Sequence, residues 1–180
     1  MNKYVAFLRG INVSGQKIIK MADLKKHVEK IGYANVQTYI QSGNVIFDNK
    51  KANNRVFKQQ IEEKIKKEYK FDVVVMVKTT EQMEVILSQN PFPKSIDEKK
   101  LYVTMLSGKP KEPDIQKLNN HKNKADRFII KEDVLYIVYD EGSGKSDFSN
   151  NFIEHKLNLS ATTRNWNTMK RLFELMQAGS

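Results

Sequence analysis

Apolar and polar positions recur along this chain with the two periods that define strands and helices. Residues 3–9 form an almost continuous apolar run, which predicts a strand buried on both faces. Residues 21–31 place an apolar side chain at every third or fourth position, which predicts a helix that Gly32 ends. Residues 36–40 and 45–48 alternate on either side of a glycine-containing turn, which predicts a β-hairpin.

The same periods continue towards the C-terminus. Residues 56–69 predict a helix and residues 73–77 a strand, so the first half of the chain has the order β-α-β-β-α-β. Pro91 and Pro93 interrupt the pattern, which makes residues 90–97 the predicted linker. The remaining predicted elements are helices at residues 80–87, 113–121, 150–157 and 165–176, and strands at residues 100–106, 127–131 and 134–139.

This order of elements predicts an α+β protein in which two ferredoxin-like α/β sandwich halves follow one another, with mostly antiparallel sheets. The first half is predicted to span residues 1–90. The second is predicted to span residues 91–180, with C-terminal helices that pack back on the first half. The layering of the second half repeats that of the first, although the two halves share no similarity at the level of residues.

Composition excludes several classes of protein. The chain has 180 residues, 39% of them hydrophobic, which is enough for one core or for two small ones. It has no cysteine and only three widely separated histidines, so we expect no disulfide, metal or cofactor. No stretch approaches the roughly 18 to 20 apolar residues of a membrane helix, and no signal-peptide pattern precedes the first strand. We therefore expect a cytoplasmic protein that does not bind membranes.

The charge of the chain favours an anionic partner. Its 31 basic and 21 acidic residues give a net charge of +10, and the part before residue 90 holds most of the excess, with 16 basic and nine acidic residues. Such a surface attracts polyanions, because phosphates that it neutralises release their counterions. A nucleic acid or a phosphorylated small molecule is therefore a candidate ligand. The alternative is a lysine-rich surface that serves solubility alone.

Two clusters of polar residues interrupt the apolar pattern and define a candidate ligand site. Arg9 and Asn12 follow the first strand, Ser42 and Asn44 lie in the predicted hairpin turn, and the second cluster lies near the C-terminus. An arginine holds a phosphate or a carboxylate through two hydrogen bonds, which favours an anionic ligand. The candidate ligand-binding residues are Arg9, Asn12, Lys17, Ser42, Asn44, Lys145, Thr163, Arg164, Asn165 and Trp166.

Each of these residues also has a structural interpretation. Arg9 can brace its own loop, and glycine followed by asparagine at 43–44 forms tight turns. Thr163 can cap the helix predicted to follow it. Trp166, the only tryptophan, either stacks on a base or anchors the last helix in the core, which is the commoner use of a tryptophan.

Catalytic residues cannot be assigned from this sequence. Residues 10–15 have the glycine spacing of a P-loop, but Gln16 stands where the motif needs lysine, and residues 142–146 lack its first glycine. No Ser-His-Asp triad can be assembled from the three histidines. Binding is therefore favoured over catalysis. An enzyme acting on a small phosphorylated metabolite, or a structural or protein-interaction module without a ligand, remain as alternatives.

Four segments carry a resemblance to a known family. They are residues 4–13 (YVAFLRGINV), 21–24 (MADL), 38–45 (TYIQSGNV) and 162–166 (TTRNW). They resemble the signature segments of the bacterial domain-of-unknown-function family 1697, and Ser14 stands where that family usually has glycine. The resemblance implies an α/β protein made of two ferredoxin-like halves. It implies no activity.

Overall fold

The computed structural model describes residues 1–51, 53–121 and 126–178, and it divides into two compact units. The first unit is Met1–Val85 together with the chain from Arg171 onward, and the second unit is Ile86–Lys170. The boundary between Val85 and Ile86 falls inside a helix, Thr80–Ser88. No helix in the described ranges is both long enough and apolar enough to cross a membrane.

The first unit contains a four-stranded antiparallel sheet and the two helices that connect its strands. Its elements are β1 (Asn2–Leu8), α1 (Met21–Lys30), β2 (Ala34–Tyr39), β3 (Asn44–Asn49), α2 (Asn54–Tyr69) and β4 (Val75–Thr79), and α3 (Thr80–Ser88) follows. The strands lie in the order β2-β3-β1-β4, and every neighbouring pair is antiparallel. This is the ferredoxin-like β-α-β-β-α-β arrangement that the apolar pattern predicts, so the prediction for this half is confirmed.

The core of the first unit explains the continuous apolar run at its start. Strand β1 is buried on both faces, because every residue from Tyr4 to Leu8 is at most 1% exposed. One face packs against α1 and α2, whose buried side chains include Leu24 and Phe57. The Phe57 and Tyr4 rings pack edge to face, with their centroids 4.8 Å apart. Burying a side chain of this kind contributes about 2 kcal/mol to folding.

The second unit repeats the same topology. Its elements are β5 (Leu101–Leu106), α4 (Glu112–Asn119), β6 (Asp126–Lys131), β7 (Val134–Tyr139), α5 (Asn150–Leu157), β8 (Ala161–Asn165) and the start of α6 (Trp166–Gln177), with short 3-10 turns at Glu98–Lys100 and Ser143–Lys145. The strands lie in the order β6-β7-β5-β8, again antiparallel throughout. The predicted fold class, two ferredoxin-like halves in tandem, is confirmed.

Strand β8 is where the structure differs from the sequence interpretation. The sequence predicts that Thr163 caps the last helix, but Thr163 lies in the middle of β8 and pairs with Thr104 of β5. Two consecutive β-branched threonines suit an extended backbone better than a helix start. The helix begins only at Trp166, and the Asn165 side-chain oxygen accepts a hydrogen bond from Thr168 N at 2.7 Å. Asn165 therefore performs the capping that was assigned to the threonines.

Candidate functional site

The loop that follows β1 has an unusual backbone. Five of its residues, Gly10, Asn12, Ser14, Gly15 and Lys17, have positive φ angles, and three of these are not glycine. Ser14 and Gly15 form the centre of a tight turn that Gln16 N closes by donating to Val13 O at 2.9 Å. Non-glycine residues rarely adopt this conformation, and they keep it only where surrounding contacts enforce it. The positive φ angle of Lys17 cannot be recognised from the sequence.

The Asn12 side chain enforces the shape of this loop. Its Nδ2 donates to Ile19 O and to Gln41 O, both at 2.9 Å, and its Oδ1 accepts from Ile19 N at 2.8 Å. The amide therefore ties both ends of the loop together and fastens them to the β2–β3 turn. Asn12 is a predicted ligand contact, but these three hydrogen bonds give it a structural role.

The β2–β3 turn meets the same loop from the other side. Asn44 is fully buried, and its Nδ2 donates to Tyr39 O at 2.9 Å and to Ser42 Oγ at 3.1 Å. Gly43 O accepts from Leu8 N at 2.8 Å, so the turn also holds the end of β1. The structure thus brings the two N-terminal polar segments together, as the antiparallel pairing of β1 and β3 requires. Ser42 and Asn44 are held by hydrogen bonds within the turn.

Lys17 leads to basic residues that sequence reasoning missed. Its Nζ donates to Asp72 O at 2.6 Å and lies 5.9 Å from the centre of the Phe71 ring. Lys66 Nζ lies 2.9 Å from Asp72 Oδ1, so two ammonium groups converge on one residue. Lys70, at the end of α2, donates to Lys67 O at 2.9 Å.

Arg9 lies beside the same segment. The backbone N of Arg9 donates to Val74 O at 2.9 Å. Val74 follows Asp72 by two residues and directly precedes β4. We call Arg9, Lys17, Lys66 and Lys70 the basic surface of the first unit. Lys66 and Lys70 are exposed, and Arg9 and Lys17 are half-buried. In the sequence, the lysines of α2 look like an ordinary solvated helix face. Only the neighbouring residues in the structure distinguish Lys66 and Lys70 from the other lysines.

The C-terminal cluster lies in the second unit and is largely internal. The Thr163 hydroxyl donates to Asn150 Oδ1 at 2.6 Å, so the Thr104 hydroxyl, 2.7 Å away, donates to Thr163. Arg164 is only 7% exposed, and it donates to Thr162 Oγ1 and to Thr163 O, both at 2.9 Å. Burial lowers the pKa of the Arg164 guanidinium to about 10, which leaves it charged at neutral pH.

The two remaining candidates of the second unit differ in exposure. Trp166 is 6% exposed at the start of α6, which matches the core-anchor interpretation of the only tryptophan. Lys145 is exposed in the turn Ser143–Lys145. The loop around that turn is fastened at its far end, where Ser146 Oγ donates to Asp126 and accepts from Phe148 N.

The profile of the protein family of unknown function DUF1697 matches residues 1–136. The chain belongs to the DUF1697 family. The solved structure of a conserved bacterial protein from Streptococcus pneumoniae matches with a TM-score of 0.73 and 21% identity, over 97% of this chain and 98% of that one. At this identity the likeness shows the fold alone. No curated protein matches the chain.

The chemistry open to this DUF1697 protein is limited by how its titratable groups are placed. No group of three His, Asp or Glu residues in the described ranges is arranged to hold a metal ion. His27 Nδ1 lies 4.0 Å from Glu68 Oε1 and His121 Nε2 lies 3.9 Å from Asp147 Oδ2, both beyond hydrogen-bond distance, and aromatic rings pack against both imidazoles. The polar groups of the two clusters donate and accept hydrogen bonds mainly within their own loops and strands.

Proposed function

We propose that this DUF1697 protein binds an anionic ligand through the basic surface of its first unit, and that the ligand is an extended polyanion such as a nucleic-acid backbone. The observation that carries the proposal is the convergence of Lys17 and Lys66 on Asp72. One carboxylate balances one of the two ammonium charges, so a positive charge remains there. Lys70 adds a further positive charge at the same end of the unit, where the backbone of Arg9 also lies.

The loop after β1 supports the proposal because it is held in one shape. The three hydrogen bonds of Asn12 fix the chain on both sides of Lys17, and Lys17 itself has a φ angle of 46°. A binding group that is already in position loses less conformational entropy when the ligand arrives. The role of Asn12 is then to position the binding surface rather than to contact the ligand.

The class of ligand follows from the exposure of these cations. Lys66 and Lys70 project from the end of a helix into solvent, whereas sites for small ligands enclose most of the ligand surface. Spaced exposed lysines suit the repeated phosphates of a nucleic acid, whose binding comes mostly from backbone contacts. A phosphorylated small molecule is the second candidate, as ligand or as substrate. A structural module without a ligand is the third.

In this proposal the C-terminal cluster serves the fold of the second unit. Thr163 and Arg164 use their polar groups on neighbours within that unit, and Asn165 caps α6. Their enclosed hydrogen bonds favour structural roles over the ligand contacts predicted for them. Lys145, which is exposed, remains a candidate for an outlying contact.

The proposal is tested by fluorescence anisotropy with short single-stranded and double-stranded oligonucleotides at salt concentrations between about 50 and 200 mM. The variant is Lys17→Ala combined with Lys66→Ala. Lys58→Ala is the matched control, because Lys58 lies on the same helix α2 and pairs with Glu62 at 3.9 Å. All three substitutions change an exposed or half-exposed lysine, so we expect little loss of stability.

We expect the wild-type affinity to fall steeply with salt, with a logarithmic slope of about −0.9 for each duplex phosphate contacted. The double variant should weaken binding at low salt and make that slope shallower by about 2. Lys58→Ala removes one positive charge and the double variant removes two, so a loss of binding free energy half as large for Lys58→Ala would mean that net charge alone is responsible. Thermal stabilisation by a nucleotide or a sugar phosphate, without any binding of oligonucleotides, would favour the small-molecule candidate instead.

A further inference from the structure

Three exposed apolar side chains of the first unit lie in the two loops that meet at Asn12. Val13 and Ile18, in the loop that follows β1, are each 56% exposed, and Ile40, in the β2–β3 turn, is 46% exposed. A single exposed apolar residue is ordinary, but a contiguous group of them marks an interaction surface. We call Val13, Ile18 and Ile40 the apolar patch.

The hydrogen bonds of Asn12 make this patch contiguous. Its Nδ2 donates to Gln41 O at 2.9 Å, and its Oδ1 accepts from Ile19 N at 2.8 Å. Each of these two partners is the chain neighbour of a patch residue, Ile40 or Ile18, and the third patch residue follows Asn12 directly. One buttressed loop pair therefore presents all three side chains.

The backbone of Ile40 is strained. Its φ angle is 51°, a conformation that glycine and asparagine adopt readily and that is an outlier for a β-branched residue. Because the side chain is 46% exposed, burial compensates for this strain only in part. Strain of this kind persists mainly where it serves a function. Isoleucine at this position therefore costs stability and leaves an apolar side chain in solvent.

The charges around the patch are all positive. Between residues 9 and 22 the charged residues are Arg9, Lys17 and Lys20, and residues 37–45 contain no charged residue. Lys17 belongs to the basic surface and directly precedes Ile18, so the patch and the basic surface are continuous along the chain. A partner that covers both has to carry negative charge and offer apolar groups beside it.

Two classes of partner combine these properties, a nucleic acid and a membrane of anionic lipids. Residues 14–16, which form the exposed tip of the loop between two patch residues, are polar. Insertion of this tip into hydrocarbon would leave its backbone groups without hydrogen-bond partners. A nucleic-acid base has apolar faces and hydrogen-bonding edges, so it can contact the aliphatic side chains and the tip together. The structure therefore favours a nucleic acid.

From these observations we propose that the apolar patch contacts the base faces of a single-stranded nucleic acid whose phosphates lie along the basic surface. In a duplex the base faces are stacked on one another, whereas a single strand exposes them. This inference rests on the proposed function and deepens it. The basic surface provides affinity for phosphates, and the patch adds affinity that depends on accessible bases.

The test compares three probes of about 12 nucleotides by fluorescence anisotropy, at salt concentrations between about 50 and 200 mM. They are a mixed-sequence single strand, its duplex, and an abasic oligomer that keeps every phosphate but has no bases. We expect the wild-type protein to bind the single strand about tenfold more tightly than the abasic oligomer, because the half-exposed patch residues become buried against bases.

The patch variant is Val13→Ser combined with Ile18→Ser. It should bind the single strand about tenfold more weakly and leave the abasic oligomer, the duplex and the salt slope unchanged. Val56→Ser is the matched control, because Val56 is 40% exposed in the first turn of α2, and it should change none of these affinities. The Lys17→Ala and Lys66→Ala double variant should weaken all three probes.

Ile40→Asn gives a second readout that a structural role would not produce. Asparagine adopts a positive φ angle more easily than isoleucine does, so we expect a higher midpoint of thermal unfolding. The same variant should bind the single strand more weakly and the abasic oligomer as before. A lower midpoint with unchanged binding would show that Ile40 serves the fold.

Three results would overturn the inference. Equal binding of the single strand and the abasic oligomer would do so while leaving the proposed function intact. Binding to vesicles of equal parts phosphatidylglycerol and phosphatidylcholine that the patch variant loses, without any dependence on bases, would assign the patch to a membrane. Failure of all three probes to bind at about 50 mM salt would contradict the proposed function itself.

Discussion

The substitution Gly43→Ala tests the packing of the β2–β3 turn against the loop that follows β1. A Cβ at this position would lie 2.6 Å from Ile11 Cδ1 and 2.9 Å from Leu8 Cβ. Gly43 also has a φ angle of 78°, a conformation that costs an alanine about 1–2 kcal/mol. Overpacking of a buried contact adds about 1–3 kcal/mol. We therefore expect Gly43→Ala to lower the free energy of unfolding by about 2–5 kcal/mol.

Gly15→Ala is the matched control, because Gly15 lies in the same loop system with a φ angle of 73° and nothing within 4 Å of the Cβ position. It should lose only the backbone cost of about 1–2 kcal/mol. Urea unfolding followed by circular dichroism measures both losses, and hydrogen exchange shows whether they arise in the first unit. If Gly43→Ala were no more destabilising than Gly15→Ala, the close contact with Ile11 would be wrong.

Three further predictions concern polar groups that form hydrogen bonds within the protein. Thr163→Val should lower the free energy of unfolding by about 1–3 kcal/mol, because the Thr104 hydroxyl loses its acceptor, and Thr163→Ser should recover most of this in urea titrations. Burial raises the pKa of the Tyr139 phenol above its ordinary value of 10.0, so its contribution to stability is complete below pH 10 and is lost as pH rises further; the stability difference between wild type and Tyr139→Phe should therefore shrink above pH 10 in pH-dependent unfolding. Asn12→Ala should speed hydrogen exchange at Ile19, whose N–H loses its acceptor, with no change in the second unit.

The fold could be predicted because its signals are local and periodic. The continuous apolar run of β1, the alternation predicted for β2 and β3, and the helical spacing of α1 and α2 can each be recognised within a few residues. Strand β8 could not be predicted, because Thr162, Thr163 and Arg164 form a strand only through their pairing with β5. Its one long charged side chain, Arg164, is buried, whereas the sequence pattern predicts that a charged side chain is exposed.

The candidate site could be predicted only in part. The meeting of Asn12 with the turn at Gln41 follows from the antiparallel pairing of β1 and β3, which the pattern of apolar residues indicates. The convergence of Lys17 and Lys66 on Asp72 could not be predicted, since it depends on a loop with positive φ angles that bring Lys17 to the end of α2. The sequence identifies the polar residues, but the geometry of the loop that follows β1 determines which of them face solvent.

The central claim is that the first unit binds a polyanion through its basic surface. Its most direct test is a titration of the labelled protein with a short oligonucleotide, followed by amide and lysine chemical shifts. We predict saturable, salt-dependent shifts at Lys17, Lys66 and Lys70 and in the loop that follows β1. Shifts confined to the C-terminal cluster at 161–168, or no shifts at low salt, would contradict the account.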